Sequence, residues 1–183
     1  MDAIKSTASA LVLVDYQARL MPVIHDAEKV VANAVLLARA ARALGIPVIG
    51  TEQNPPGLGP NLEQIKSECD HTVAKTHFDA CADGLLEVLE KAKENCAQVV
   101  VAGCETHVCM LQTALGLLRA GKRVWVVASA SGVRRESDHA IAMKRLSQAG
   151  ATIVTPDMVL FEWLDDCKHP RFREVLGLIK AAG

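Results

Sequence analysis

From Gln98 to Met110 the chain reads QVVVAGCETHVCM. Val99 to Ala102 form a charge-free, mostly β-branched run, and Val108, Leu111, Leu115 and Leu118 then recur at the spacing of one helix face. This pattern predicts a buried strand that hands over directly to a helix. Gly103 marks a tight turn at the strand's end, Thr106 is the candidate N-cap, and Cys109 falls in the first helical turn. The unpaired N–H groups and positive dipole end of a helix favour a thiolate, so a more acidic and more reactive Cys109 is expected. The same N–H groups could hold the oxyanion formed when that sulfur attacks a carbonyl. Free cysteine is also among the most buried residue types, and this stretch alone suits an inert core thiol at least as well.

Further short apolar runs lie at residues 10–14 (ALVLV), 46–49 (IPVI), 71–74 (HTVA), 123–128 (RVWVVA) and 151–154 (ATIV). Between them, residues 27–44, 62–67, 84–93 and 137–148 carry helical spacing, Gly45, Gly121 and Gly150 act as stops, Pro156 opens another helix, and residues 169–180 close the chain. Strands alternating with helices predict an α/β fold: three layers, α/β/α, around a six-stranded, mostly parallel, Rossmann-like sheet with right-handed crossovers. Hydrophobic residues make up 50% of the chain and aromatics only 3%, which suits a sheet buried on both faces by Val, Leu, Ile and Ala. No Gly/Ser/Pro-rich linker divides the 183 residues, so one domain, 1–183, is expected. Residues 51–60, TEQNPPGLGP, are expected as a loop, either the wall of a binding site or a solvated connection.

Lys plus Arg number 20 and Asp plus Glu 21, with no long run of either sign. That balance and the scarcity of aromatic stacking platforms argue against nucleic acid and anionic membranes as partners. The amino terminus lacks the apolar core of a signal peptide, and no apolar run approaches the roughly 18 residues of a membrane span. Six irregularly spaced cysteines (69, 81, 96, 104, 109, 167) suit free thiols in a reducing compartment, so a cytoplasmic location is expected.

In open parallel sheets, ligands bind outside the carboxyl ends of the strands, where the strand order reverses. Asp15 follows the first strand, Lys75 the third, and Cys109 lies just beyond the fourth, so three distant segments meet on one rim. A cysteine hydrolase needs a thiolate, a group that takes and returns a proton, and a positive charge beside both. Cys109, Asp15 and Lys75 are those residue types, although each alone has an ordinary structural explanation.

The motifs LVLVDYQ around Asp15, KTHFDAC from Lys75, and AGCETHVCM with its continuation TALGLLRAGKRVWVV resemble the isochorismatase-like cysteine hydrolases. That superfamily includes nicotinamidases, N-carbamoylsarcosine amidases and the isochorismatase-domain-containing proteins. The resemblance implies a catalytic triad of Asp15, Lys75 and Cys109, a cis peptide joining Cys104 to Glu105, and an oxyanion hole from the N–H groups of Glu105 and Cys109. It makes Gln17, Phe78 and His107 the candidate pocket residues: Gln17 lines or braces the pocket, and Phe78 is a wall or core. It also implies a homo-oligomer, in which Val159, Leu160, Phe161 and Trp163 either form an interface or cover their own sheet.

Nicotinamidases hold a metal with an Asp and histidines between the second strand and the lysine, but residues 51–65 here contain neither. Asp70 and His71 come late and lack partner histidines, so neither a metal nor a cofactor is expected. TEQNPPGLGP instead resembles the isochorismatase-domain-containing branch. A Cys–His pair of Cys109 with His107 or His77, and a zinc site of Cys104, His107 and Cys109, are the weaker constellations, the latter lacking any C-x-x-C. Glu105 either faces the pocket or serves the helix N-terminus, and Arg134, Arg135 and Glu136 read as a solvated face or subunit contact. The expected function is metal-independent cleavage of a small-molecule amide or related C–N bond through a thioester. A non-catalytic ligand-binding or oligomeric scaffold and vinyl-ether hydrolysis of the isochorismatase type are the alternatives.

Overall fold

A computed structural model describes residues 3–182. The strands are β1 (Ser9–Val14), β2 (Val48–Gln53), β3 (His71–Lys75), β4 (Gln98–Gly103), β5 (Arg123–Val127) and β6 (Thr152–Val154). The α-helices are α1 (Ala27–Ala43), α2 (Pro55–Leu58), α3 (Glu63–Lys66), α4 (Leu85–Ala92), α5 (Leu111–Arg119), α6 (Glu136–Gln148), α7 (Pro156–Leu164) and α8 (Phe172–Ala182). All neighbouring strands pair in parallel, in the order β3-β2-β1-β4-β5-β6. The chain therefore starts in the middle, runs outward through β3, and returns to the other side at β4, which puts the order reversal between β1 and β4.

Side chains alternate across each strand and so divide into two cores. Leu11, Leu13, Val100, Ala102, Trp125 and Val127 pack with α1, α7 and α8. Val12, Val14, Val99, Val101, Val124 and Val126 pack with α4, α5 and α6. Val159, Leu160 and Trp163 are buried in the first core, so they cover their own sheet, whereas Phe161 of the same helix is exposed. Among the described residues no helix is long and apolar enough to cross a membrane.

The pairing aligns the strand ends: Val14 lies beside Thr51 and Gly103, and Gln53 beside Lys75. At the reversal β1 and β4 come very close. The Cys104 N–H donates to the Val14 carbonyl at 2.8 Å, and a Cβ on Gly103 would collide with Val14. Only glycine fits there.

Three expectations change. The second strand does not span 46–49. Pro47 offers no N–H and joins only through its carbonyl, which accepts from Leu11 at 2.9 Å, and the strand instead runs on to Gln53. The first residues of TEQNPPGLGP are therefore strand, and Pro55–Leu58 form one helical turn rather than loop. The polar side chains of Thr51, Glu52 and Gln53 tolerate burial because each has partners, Glu52 Oε1 accepting from Asn61 N–H at 2.9 Å for example. Finally, Thr106 is not an N-cap: its hydroxyl donates to the Gly132 carbonyl at 2.9 Å. The segment Thr106–Met110 is a π-helical turn that precedes α5, so Cys109 lies ahead of the regular helix.

Candidate active site

Asp15 leaves β1 fully buried and in the left-handed region, at φ 54°, a conformation that Asp adopts more readily than most residues. Thr51 Oγ1, from the adjacent end of β2, donates to Asp15 Oδ1 at 2.6 Å. Asp15 Oδ2 lies 2.8 Å from Lys75 Nζ. That contact is ionic rather than an aligned hydrogen bond, and Oδ2 has no other hydrogen-bond partner among the described residues. One carboxylate oxygen is thus anchored and the other has a lone pair to spare.

Lys75 ends β3 and is 2% exposed. Its ammonium faces Asp15 Oδ2 and donates to Gln53 Oε1 at 2.5 Å and to the His77 carbonyl at 3.4 Å. A buried ammonium carries three protons and no lone pair; here Gln53 and His77 accept two of them and the Asp15 carboxylate supplies the counter-charge. The rest of KTHFDAC holds this turn in place. Asp83 accepts from the N–H groups of Thr76 and His77 at 2.7 and 2.9 Å. Asp79 accepts from Cys81 N–H at 2.9 Å and pairs with Arg119 of α5 at 2.7 Å.

Cys109 is 7% exposed, and its thiol donates to Gln53 Oε1 at 3.8 Å, the oxygen that also accepts from Lys75. Burial, and then the Asp15 carboxylate, push its thiol up to about 12 against the opposing pull of Lys75. The acidic thiol expected from the helix N-terminus is therefore not found. Desolvation and a neighbouring anion both disfavour the thiolate, and they outweigh the lysine and the helix end. Asp15, Lys75 and Cys109 meet as one buried cluster in which a protonated thiol lies beside an ion pair.

The Cys104–Glu105 peptide bond is cis. In the turn that follows, Thr106 N–H donates to the Gly132 carbonyl at 2.8 Å, and the N–H groups of Val108 and Met110 donate to the Glu105 carbonyl at 3.0 and 3.3 Å. The Glu105 side chain pairs with Arg134. Arg134 Nε donates to its carboxylate at 2.8 Å, and that bond raises the guanidinium further above its ordinary range. Arg134 is thus an anchor of the cis-peptide turn as well as an exposed residue.

The pocket candidates separate. Gln17 is fully buried and braces rather than lines: its Oε1 accepts from Gln53 N–H at 2.8 Å, and its Nε2 donates to the carbonyls of Gln53 and Gly59 at 2.9 and 2.6 Å. Phe78 is 51% exposed and so is not core. His107 turns toward α6, its Nε2 3.9 Å from Asp138 in a groove with Leu111, Leu115 and Arg145, and it is not among the triad's contacts. The ring of His77 is held by Asp83 at 2.9 Å, which leaves the Cys–His alternative without support from either histidine. Among the described residues no three His, Cys, Asp or Glu side chains are disposed to hold a metal ion.

Thr51 and Gln53 were not among the sequence candidates, yet both touch the triad. The signal was their spacing. Once β2 is extended, residues two apart share a face, and that face looks onto Asp15 and Lys75.

Residues 9–158 match the isochorismatase domain model. Isochorismatase domain-containing protein 2 of Danio rerio is 36% identical over 176 residues, covering 96% of this chain and 89% of that protein. The structure of MAR1 ribonuclease from Caenorhabditis elegans has a TM-score of 0.91 at 34% identity and covers 98% of this chain and 93% of that one. YcaC is similar in two solved forms, both at 26% identity. The Pseudomonas aeruginosa protein, with hexane-2,5-diol and covalent acrylamide, has a TM-score of 0.88 over 99% of this chain and 94% of that one. The Escherichia coli protein, described as an octameric hydrolase of unknown specificity, has a TM-score of 0.83 over 100% and 98%. With the domain match spanning most of the sheet and both strand ends that carry Asp15 and Lys75, the chain belongs to the isochorismatase-like hydrolases, in the isochorismatase domain-containing branch.

Proposed function

We propose that this chain is a metal-independent cysteine hydrolase that cleaves a small amide or related C–N bond, with Asp15, Lys75 and Cys109 as its catalytic residues. The observation that carries this reading is the free oxygen of the buried pair. Among the described residues Asp15 Oδ2 accepts no hydrogen bond and faces Lys75 at 2.8 Å, and the Asp15 carboxylate acts on a Cys109 thiol that burial and this carboxylate together push up to about 12. A base with a spare lone pair beside a protonated nucleophile is what general-base activation requires.

In the first half-reaction, Asp15 takes the Cys109 proton as the sulfur bonds to the substrate's carbonyl carbon, and the carbonyl π pair moves onto oxygen. The N–H groups of Glu105 and Cys109 hold that oxyanion. Its collapse breaks the C–N bond, Asp15 protonates the departing nitrogen, and a thioester remains on Cys109. Water, losing a proton to Asp15, then attacks the thioester. The acid leaves, and the proton returns to sulfur. Lys75 offsets the negative charge wherever it stands, on oxygen of Asp15 or on sulfur.

The covalent acrylamide in the P. aeruginosa relative supports a reactive nucleophile in this fold; acrylamide is captured at its alkene carbon, so the adduct speaks for nucleophilicity and not for attack on an amide carbonyl. The octameric E. coli relative supports assembly of this chain into a homo-oligomer from one 183-residue domain, and six unpaired cysteines favour the cytoplasm. The test is turnover of a panel of small amides by wild type and Cys109→Ala, with acyl-enzyme trapped by acid quench and mass spectrometry. Hydrolysis and an acyl adduct in wild type, both absent in the variant, are expected. Undiminished amide hydrolysis by Cys109→Ala, or cleavage of RNA in place of any amide, would overturn the reading.

A further inference from the structure

Gln53 sits between the two groups that the chemistry must keep in register. Its backbone is fixed first, because the Gln17 side chain occupies both its N–H and its carbonyl. Its side-chain amide is then fixed at both ends: Nε2 donates to the Thr76 carbonyl at 2.7 Å, and Oε1 accepts from Lys75 Nζ at 2.5 Å. That orientation has no alternative. An ammonium has no lone pair and a carbonyl no proton, so a flipped amide would set NH2 against NH3+ and oxygen against oxygen. The same oxygen also accepts from the Cys109 thiol at 3.8 Å, so Gln53 Oε1 bridges the ammonium and the sulfur.

The acceptor is neutral, and its neutrality matters. A carboxylate in this position would bind the ammonium as tightly as Asp15 does and would repel an incipient thiolate. An apolar side chain would leave the ammonium with Asp15 and a distant carbonyl as its acceptors and let it settle away from the sulfur. We propose that Gln53 is a positioning residue, a neutral clamp that holds the Lys75 ammonium beside Cys109, so that sulfur finds its counter-ion in place as it gives up its proton.

The proposal rests on the roles assigned above to Lys75 and Cys109, but its test reads the thiol directly and needs no substrate. Alkylation of Cys109 by iodoacetamide is followed at about pH 9, with the modified peptide mapped by mass and folding checked by circular dichroism. Gln53→Met keeps the side chain's length and removes the acceptor. In wild type it should slow Cys109 alkylation by about tenfold, and in a Lys75→Met background by less than about twofold, because a residue that acts through another has nothing left to do once that other is gone. Gln53→Asn, which withdraws the amide by one methylene, tests the same coupling if the first variant folds poorly. No slowing in wild type, or equal slowing in both backgrounds, would overturn the clamp. Amide turnover by Cys109→Ala would instead sink the hydrolase reading and leave this result standing.

Discussion

Replacing Asp15 by Asn should make Cys109 more reactive toward an alkylating agent while destroying any catalysis that depends on it. In the wild-type site the thiol stands at about 12, raised by burial and then by the Asp15 carboxylate. At pH 8 that leaves thiolate in only about one molecule in ten thousand. A unit charge at about 4 Å, with an effective dielectric of about 20, is worth about 4 kcal/mol, or roughly three pKa units. Removing the negative charge removes a like-charge repulsion, so the thiol's pKa falls, toward about 9, and the thiolate population at pH 8 rises by roughly a thousandfold. A less basic sulfur is a poorer nucleophile, with a Brønsted slope of about 0.45, which returns a factor of roughly twenty. The net expectation is alkylation about fifty times faster in Asp15→Asn. Lys75→Met should act with the opposite sign, because the lysine lowers the thiol. Pseudo-first-order labelling with iodoacetamide, resolved by peptide mass mapping, gives both rates, with exposed Cys167 as the reference in the same tube. Asp15→Asn that labels no faster than wild type, or Lys75→Met that labels faster, would refute the electrostatic account of this site.

Two further variants test the frame around it. Tyr16→Phe removes a buried hydroxyl that donates to the Ala130 carbonyl at 2.6 Å, so urea denaturation should show a loss of about 1–3 kcal/mol from the orphaned acceptor. Burial holds that phenol well above its ordinary pKa, so the wild-type advantage should be constant near neutral pH and begin to shrink as the pH approaches about 10, where the phenol ionises in the unfolded chain only. Gly116→Ala on α5 drives a methyl group into the Asp79 carboxylate that secures the turn after Lys75, and it should cost about 1–3 kcal/mol in the same assay. A midpoint equal to wild type would show that the turn yields freely.

The sheet was legible because its strands announce themselves as charge-free runs, and the strand-end placement of Asp15 and Lys75 followed from counting along them. The errors gather where polar residues are buried. TEQ at 51–53 carries a hydroxyl, a carboxylate and an amide in three consecutive positions, and on a hydropathy reading that is a loop. It becomes strand because each polar atom meets a partner from another segment: Asp15, Asn61, Lys75 and Thr76. Such long-range satisfaction leaves no local periodic trace. Cys109 failed in a related way. Its position beside a helix start was correct, but the sign of its pKa shift depends on how deeply the π-helical turn buries it and on the Asp15 carboxylate nearby.

That sign is compatible with catalysis, and the reason lies in charge accounting within a dry site. With Asp15 ionised, Lys75 protonated and Cys109 a thiol, the cluster is neutral. Losing the thiol proton to bulk water would leave a net negative charge buried with side chains of Asp15 and Lys75 that are 0% exposed, and it is this loss that a thiol at about 12 resists. Passing the same proton to Asp15 Oδ2 leaves the cluster neutral: thiolate, ammonium and carboxylic acid replace thiol, ammonium and carboxylate. The transfer moves a charge between two groups that both feel the Lys75 ammonium. A high titration point in the free protein therefore measures resistance to losing a proton from the cluster, not resistance to moving it within. In the proposed mechanism it also keeps sulfur protonated and unreactive toward stray electrophiles until a substrate carbonyl is in place. Asp15→Asn separates the two quantities, since it eases loss to bulk while removing the proposed base, and fast alkylation without turnover is the behaviour that separation requires.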